Sequence, residues 1–199
     1  MQKLVIATRN KGKIVEIQHA LADFDWEIIG LADTAISPDF DVEEPAMTME
    51  GNAIIKAITY GDKTGLLTLS EDAGLEVDAL NGRPGVFSAR YAPGTDADRY
   101  NKLLGELTGV LSENRGAQFR AVIAIYDPIS KKIRTCEGIY RGSIIDEPRG
   151  TEGFGFDPVF YNSELKKTNA EMSIAEKTLV SHRGKALKQA REILVQDFS

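Results

Sequence analysis

The order of predicted elements places this 199-residue chain in the mixed α/β class. Three observations carry that prediction. A short apolar run at residues 3–7 is followed by Ile14, Ile17 and Leu21 at helical spacing. A predicted helix over residues 52–63 leads into a second apolar run, Leu66-Leu67-Thr68-Leu69. Two strand-like runs, 118–126 and 132–140, are separated only by a turn at Asp127-Pro128.

Composition bounds the function. With 42% hydrophobic and 27% charged residues the chain has the make-up of a globular domain, read as one domain over residues 1–199. It shows no repeat, low-complexity tract or linker. No apolar run reaches membrane-span length and no signal-peptide pattern opens the chain, so a cytoplasmic protein is expected. A single cysteine, Cys136, rules out an internal disulfide and a cysteine-based zinc site. The net charge of −6 argues against wholesale attraction to nucleic acid or an anionic membrane. A polyanionic ligand would therefore need local lysines or arginines and a metal.

The elements follow in order. Residues 3–7 read as a buried strand, and a helix begins near Gly12. Between them, Thr8-Arg9-Asn10-Lys11-Gly12-Lys13 offers basic residues, a hydroxyl and free N–H groups at a helix start, which suits phosphate oxygens. The spacing is not that of a P-loop, and taken alone the stretch reads as a basic helix start capped by Asn10. Residues 26–29 form a second strand. The acidic segment 33–50, with Asp33, Asp39, Asp41, Glu43, Glu44 and Glu50, reads as a solvated loop with one acid reaching a metal. The helix over 52–63 is predicted to turn Ile54, Ile55 and Ile58 inward, with Lys56 near one edge. Next come Ser70-Glu71-Asp72-Ala73-Gly74, where a strand ends in two acids and the glycine turns the chain sharply into 75–80. Alternation along a strand sends Glu71 and Asp72 to opposite faces. Such a pair suits a hard divalent metal, and it also fits a solvated turn.

Asn81-Gly82 signals a tight turn, and residues 83–91 are irregular. A helix over 95–107 is capped by Thr95, with Asp98 three residues on. The 118–126 and 132–140 strands are expected to form a hairpin in a second lobe, with Cys136 a packed thiol. In Gly153-Phe154-Gly155-Phe156-Asp157-Pro158, glycines flank an aromatic, so backbone can approach a flat ligand while the ring stacks on it. Ser173 and Glu176 form a capping box for a short helix carrying Lys177. That helix ends near residues 181–185, and Ala186, Leu187, Ala190 and Leu194 mark a terminal helix. His19 reads as a surface residue.

Three separated stretches then agree. Thr8 to Lys13, Phe154-Gly155-Phe156-Asp157-Pro158 and Ser181-His182-Arg183-Gly184 together resemble the inosine/xanthosine triphosphate pyrophosphatases, over residues 3–187. The acidic stretch and residues 82–91 fit as well. The resemblance implies a long twisted mixed β-sheet with flanking helices, two lobes around a central cleft, and a homodimer. It implies a house-cleaning hydrolase that converts ITP, dITP or XTP to the monophosphate and pyrophosphate by magnesium-assisted attack of water at the α-phosphate. By resemblance, Thr8 to Lys13 form the triphosphate loop. Asp72 is the general base and a Mg2+ ligand, with Glu44, or its neighbour Glu43, a further metal-associated acid. Phe154 to Asp157 form the base loop, and Lys177, His182 and Arg183 hold phosphate and base.

Departures from the family pattern are visible. The usual Asp-Asp-Ser-Gly reads Glu71-Asp72-Ala73-Gly74, leaving Ala73 only a backbone N–H to offer. Glu50 is displaced by one residue from the Glu-Asn-Ala opening of the second helix. Lys13, Lys56 and Lys177 are candidates for stabilising charge on departing pyrophosphate. Arg183 or His182 donating to O6 would select 6-oxopurines over adenine, and a main-chain N–H near residues 153–157 or His182 would oppose guanine's amino group. Two rival readings stand: a same-fold pyrophosphatase for modified pyrimidine nucleotides, and a non-catalytic nucleotide or nucleic-acid-binding module using the basic C-terminal region.

Overall fold

The computed structural model describes residues 2–198. One seven-stranded sheet runs through them in the order β2-β1-β3-β4-β5-β6-β7. Its strands are β1 (Lys3–Ile6), β2 (Glu27–Gly30), β3 (Thr68–Val77), β4 (Gly116–Tyr126), β5 (Ile133–Ile144), β6 (Phe160–Asn162) and β7 (Lys167–Thr168). β1 is parallel to β2 and β3, and every later pairing is antiparallel, so the sheet is mixed. The helices are α1 (Lys11–Ala20), α2 (Met49–Thr64), α3 (Asp96–Glu106), α4 (Ile174–Val180) and α5 (His182–Phe198). Among the described residues, no helix is long and apolar enough to cross a membrane.

Period-two alternation sorts the core. On β3 and β4, Leu69, Ala121, Ile123 and Ile125 face α1 and α5, packing on Ile17, Leu21, Ala186 and Leu194. Val122, Ala124 and Tyr126 face the other way, onto Met49, Ala53 and Ala57 of α2. A third cluster joins Leu75, Val77, Leu103, Leu107, Phe119, Phe156 and Phe160.

Three expectations need correction. β3 does not end at the acid pair; it runs unbroken through Gly74 to Val77. Gly74 is there for close approach, since a Cβ would lie 2.1 Å from the Gly85 carbonyl oxygen. As expected, the 116–126 and 133–144 strands form a hairpin, which is the middle of the single sheet. On α2 other residues carry the buried face, although Ile54 packs partly buried against it. Asn52, Ala53, Lys56, Ala57 and Tyr60 are buried, while Ile58 is exposed. Small residues let this helix lie close on the sheet, and a Cβ on Gly61 would sit 2.7 Å from the Tyr126 ring. Finally, the short helix does end beside Ser181, but the terminal helix starts at once, residues 182–185 being the first turn of α5. Ser181 caps it, its Oγ accepting the Gly184 N–H at 3.1 Å.

Candidate active site

The site follows from where β1 stops. β1 pairs with β3 only as far as Leu69, so beyond that residue one edge of β3 is open. It lies just past the carboxyl end of the parallel pair, where open α/β sheets hold ligands. Odd-numbered residues of β3 present their backbone groups to this edge. The Ala7 N–H donates to the Leu69 carbonyl (2.8 Å) and the Leu75 N–H to Ser88 Oγ (2.8 Å). Between them, the Glu71 carbonyl accepts from Lys56 Nζ at 3.0 Å and Lys13 Nζ at 3.4 Å. The same alternation puts the Ala73 N–H on the open edge, in the wall of a cleft of about 420 Å³.

Glu71 and Asp72 do point to opposite faces. Glu71, 1% exposed, turns toward α5 and receives the Arg183 guanidinium in a fork, Nε at 2.6 Å and Nη2 at 2.8 Å. Lys13 Nζ lies 3.3 Å from the same carboxylate. Burial pushes the Glu71 carboxyl up, but Arg183 and Lys13 together pull it well below its ordinary value. Asp72 turns toward α2, where Asn52 Nδ2 and Lys56 Nζ each donate to it at 3.4 Å. Burial raises its carboxyl from the ordinary 3.8, opposed by Lys56 and Lys13. Its hydrogen bonds are long, so a buried acceptor keeps capacity to spare.

The predicted triphosphate loop is divided. Thr8, Arg9, Asn10 and Lys13 line the cleft, whereas Lys11 and Gly12 line a smaller cavity of about 300 Å³. Gly12 is tight against the Phe154 ring. Asn10 caps α1, accepting the Lys13 N–H at 3.1 Å. Arg9 is committed elsewhere, donating to the Ser37 and Phe40 carbonyls at 2.8 and 3.0 Å. Lys13 is driven below its ordinary value by burial, opposed by Glu71.

Of the two candidate loop acids, Glu44 faces the cleft and meets Lys56 Nζ at 2.5 Å. Glu43 is exposed and outside its lining, because the extended segment sends neighbouring side chains opposite ways. Glu50 points away as well, accepting from Thr135 Oγ1 at 3.1 Å. Asp72 and Glu44 meet through one lysine, an all-oxygen donor set that suits a hard divalent cation. Among the described residues no three-carboxylate cluster forms. Two carboxylates with phosphate oxygens completing the shell is the arrangement magnesium favours, so the residues fit the ion.

At the far end, Lys177 is 4% exposed and donates to Glu16 (2.7 Å) and Asp157 (2.6 Å). Arg183 also pairs with Glu16. Lys177 Nζ and the Arg183 guanidinium lie 5.2 and 5.5 Å from the centroid of the Phe154 ring. His182 stacks on Phe119 (centroids 4.7 Å apart, planes 12° apart), and its Nδ1 is buried with no partner among the described residues. Burial, then Arg183, holds His182 well below its ordinary value and so neutral. All four residues of the 154–157 loop line the cleft, and the Phe156 ring also packs into the core.

Sequence reasoning passed over three contributors. Glu16, on the polar side of α1 by its neighbours, is buried by ion pairs that arrive from α4 and α5. Asn52 links Asp72 to the acidic loop, its Oδ1 accepting the Ala46 N–H at 2.9 Å. Arg90 lines the cleft and donates to the Glu44 carbonyl at 3.2 Å. The capping and pairing signals of these residues are local, and their partners are not.

Fold and cleft thus define an α/β protein whose pocket sets lysines against under-bonded carboxylates on an open strand edge. The Ham1 family model matches residues 4–193. A dITP/XTP pyrophosphatase of Desulforamulus reducens is 47% identical over 195 residues, covering 96% of this chain and 95% of that protein. One of Geobacter sulfurreducens is 47% identical over 197 residues, covering 98% and 97%. Among solved structures, a HAM1 protein from Coxiella burnetii gives a TM-score of 0.87 at 40% identity, over 98% of this chain and 100% of that one. The Ham1 protein of Staphylococcus aureus gives 0.84 at 38% identity, over 98% of each chain. The chain belongs to the Ham1 family.

Proposed function

We propose that the protein hydrolyses dITP, ITP and XTP to the monophosphate and pyrophosphate, as a dITP/XTP pyrophosphatase. The observation that carries this reading is the placement of Asp72, an under-bonded carboxylate in a cleft with Lys13 and Lys56 beside it and Phe154 opposite. Near-full-length relatives bearing that name support it.

In this reading, Lys13 and Lys56 face the phosphates while their Nζ groups stay anchored on the Glu71 carbonyl. The Ala73 N–H donates to a phosphate oxygen from the open edge. Asp72 orients the attacking water and takes its proton as the new bond to the α-phosphorus forms. The bond between the α-phosphorus and the bridging oxygen breaks, and pyrophosphate leaves against the two lysines. Asp72 and Glu44 would hold a divalent cation, magnesium by preference, which supplies neutralisation of phosphate oxygens and acidification of the bound water. The cation requirement has a charge argument behind it. Lys13, Lys56, Lys177 and Arg183 are already matched by Glu71, Asp72, Glu44, Glu16 and Asp157, so these four bring no surplus charge to a nucleoside triphosphate.

Phe154 stacks on the base, and neutral His182 with Arg183 reads its 6-oxo edge. An adenine amino group there would leave a buried donor unpaired. A cytoplasmic homodimer acting on free nucleotides, with neither nucleic acid nor membrane as partner, completes the proposal. A turnover panel of ITP, XTP, dITP, GTP, ATP and modified pyrimidine triphosphates, with and without magnesium, tests it. Pyrophosphate from ITP, dITP and XTP, with GTP and ATP left largely intact, is the expected result, and preference for a pyrimidine would overturn it.

A further inference from the structure

The 153–157 loop is held from outside its own neighbourhood. Within the loop, the Asp157 carboxylate accepts the Phe154 N–H at 2.9 Å and Lys177 at 2.6 Å. The Gly155 N–H points elsewhere and donates to Asp96 Oδ2 at 2.7 Å, across 59 positions of sequence. Asp96 is the first residue of α3. Its other oxygen pairs with the Arg99 guanidinium, whose Nη2 donates to the Gly94 carbonyl at 3.2 Å. Asp96 and Arg99 both line the cleft, and α3 is fixed in the core by Leu103.

Gly155 has φ +64°, so no helical or strand ladder directs its N–H, and nothing lies within 4 Å of the place a Cβ would take. The Asp96 carboxylate supplies the missing constraint. A hydrogen bond with an ionised acceptor is about twice as strong as a neutral one. It acts one residue from the ring proposed to stack on the base.

We infer that Asp96 is a positioning residue for the nucleobase end of the cleft, fixing the Phe154 ring through the Gly155 N–H, with Arg99 holding Asp96 in the required rotamer. This inference rests on the proposed function for its substrate. No bond joins Asp96 or Arg99 to Lys13, Lys56 or Asp72 among the interactions described, so the chemical end of the cleft does not depend on it.

The test compares wild type, Asp96→Ala and Asp96→Asn as full-length protein with magnesium. The readouts are KM and kcat for ITP and ATP, and inhibition by pyrophosphate. Asp96→Ala is expected to lower the ITP-over-ATP ratio of kcat/KM about tenfold, through KM for ITP, with kcat within about twofold. Pyrophosphate inhibition should be unchanged. Asp96→Asn keeps a carbonyl oxygen for the Gly155 N–H and should retain most of the ratio. A ratio between substrates is independent of the folded fraction, so partial misfolding does not obscure it. Wild-type selectivity in Asp96→Ala, or equal losses in both variants, overturns the inference. If wild type itself fails to prefer ITP, the functional reading has failed instead. Hydrogen exchange at the Gly155 amide then decides: faster exchange in Asp96→Ala supports the positioning role, and unchanged exchange refutes it.

Discussion

A carboxylate as deeply buried as Glu71 stays ionised only because Arg183 and Lys13 stay with it. Removing its charge leaves Arg183 buried against Glu16 alone. Glu71→Gln is therefore expected to cost about 3–5 kcal/mol, read by urea denaturation. The sign of the pH effect follows from the direction of each shift. Glu71 is depressed, so its contribution is complete above its ordinary 4.5 and is lost as pH falls toward the folded value. His182 is also depressed, so below its ordinary 6.5 the unfolded chain takes up a proton that the folded chain refuses. Both make the protein less stable in acid. Denaturation midpoints measured from neutral pH downward should fall in two stages, and His182→Gln should remove the upper one. At this scale, the opposite orientation of Glu71 and Asp72 was legible, because it needs only strand alternation. The burial of Glu16 was not, because its partners Lys177 and Arg183 lie more than 160 positions away.

Among elements, the five helices and β1 to β5 were legible from periodicity and caps, the very short β6 and β7 were not, and the misreadings of β3 and α2 share one cause. Gly74 was read as a turn and the isoleucines of α2 as its buried face, both from local rules. What decides these positions is close approach by distant parts of the chain. Gly74 lies under the Gly85 carbonyl, and α2 packs through Ala53, Ala57 and Gly61. The start of α5 is set the same way. A Cβ on Gly138 of β5 would lie 2.0 Å from the His182 carbonyl oxygen. Gly138→Ala should push α5 off the sheet just where it delivers His182 and Arg183. The expected cost is about 1–3 kcal/mol of stability, with a raised KM for ITP that exceeds any loss in kcat. Chemical denaturation and steady-state kinetics on the one variant check both parts.

For the whole molecule, the single mixed sheet matters more than any one motif. Ending β1 at Ile6 while β3 continues to Val77 exposes one strand edge, and the starts of α1, α3 and α5, the middle of α2 and Lys177 of α4 line the cleft beside it. The class of fold could be read from element order, and the family from three separated motifs. The cleft's partition could not, since Lys11 and Glu43 fall outside its lining by side-chain direction and Gly12 by its packing against the Phe154 ring. The central claim is that Asp72 activates water against the α-phosphorus. Phosphorus NMR of ITP hydrolysis in heavy-oxygen water, with magnesium, tests it for wild type and Asp72→Asn. The account predicts heavy oxygen in IMP and none in pyrophosphate, with Asp72→Asn slower by about 100-fold or more. Label in pyrophosphate, release of orthophosphate, or an Asp72→Asn variant as fast as wild type would contradict it.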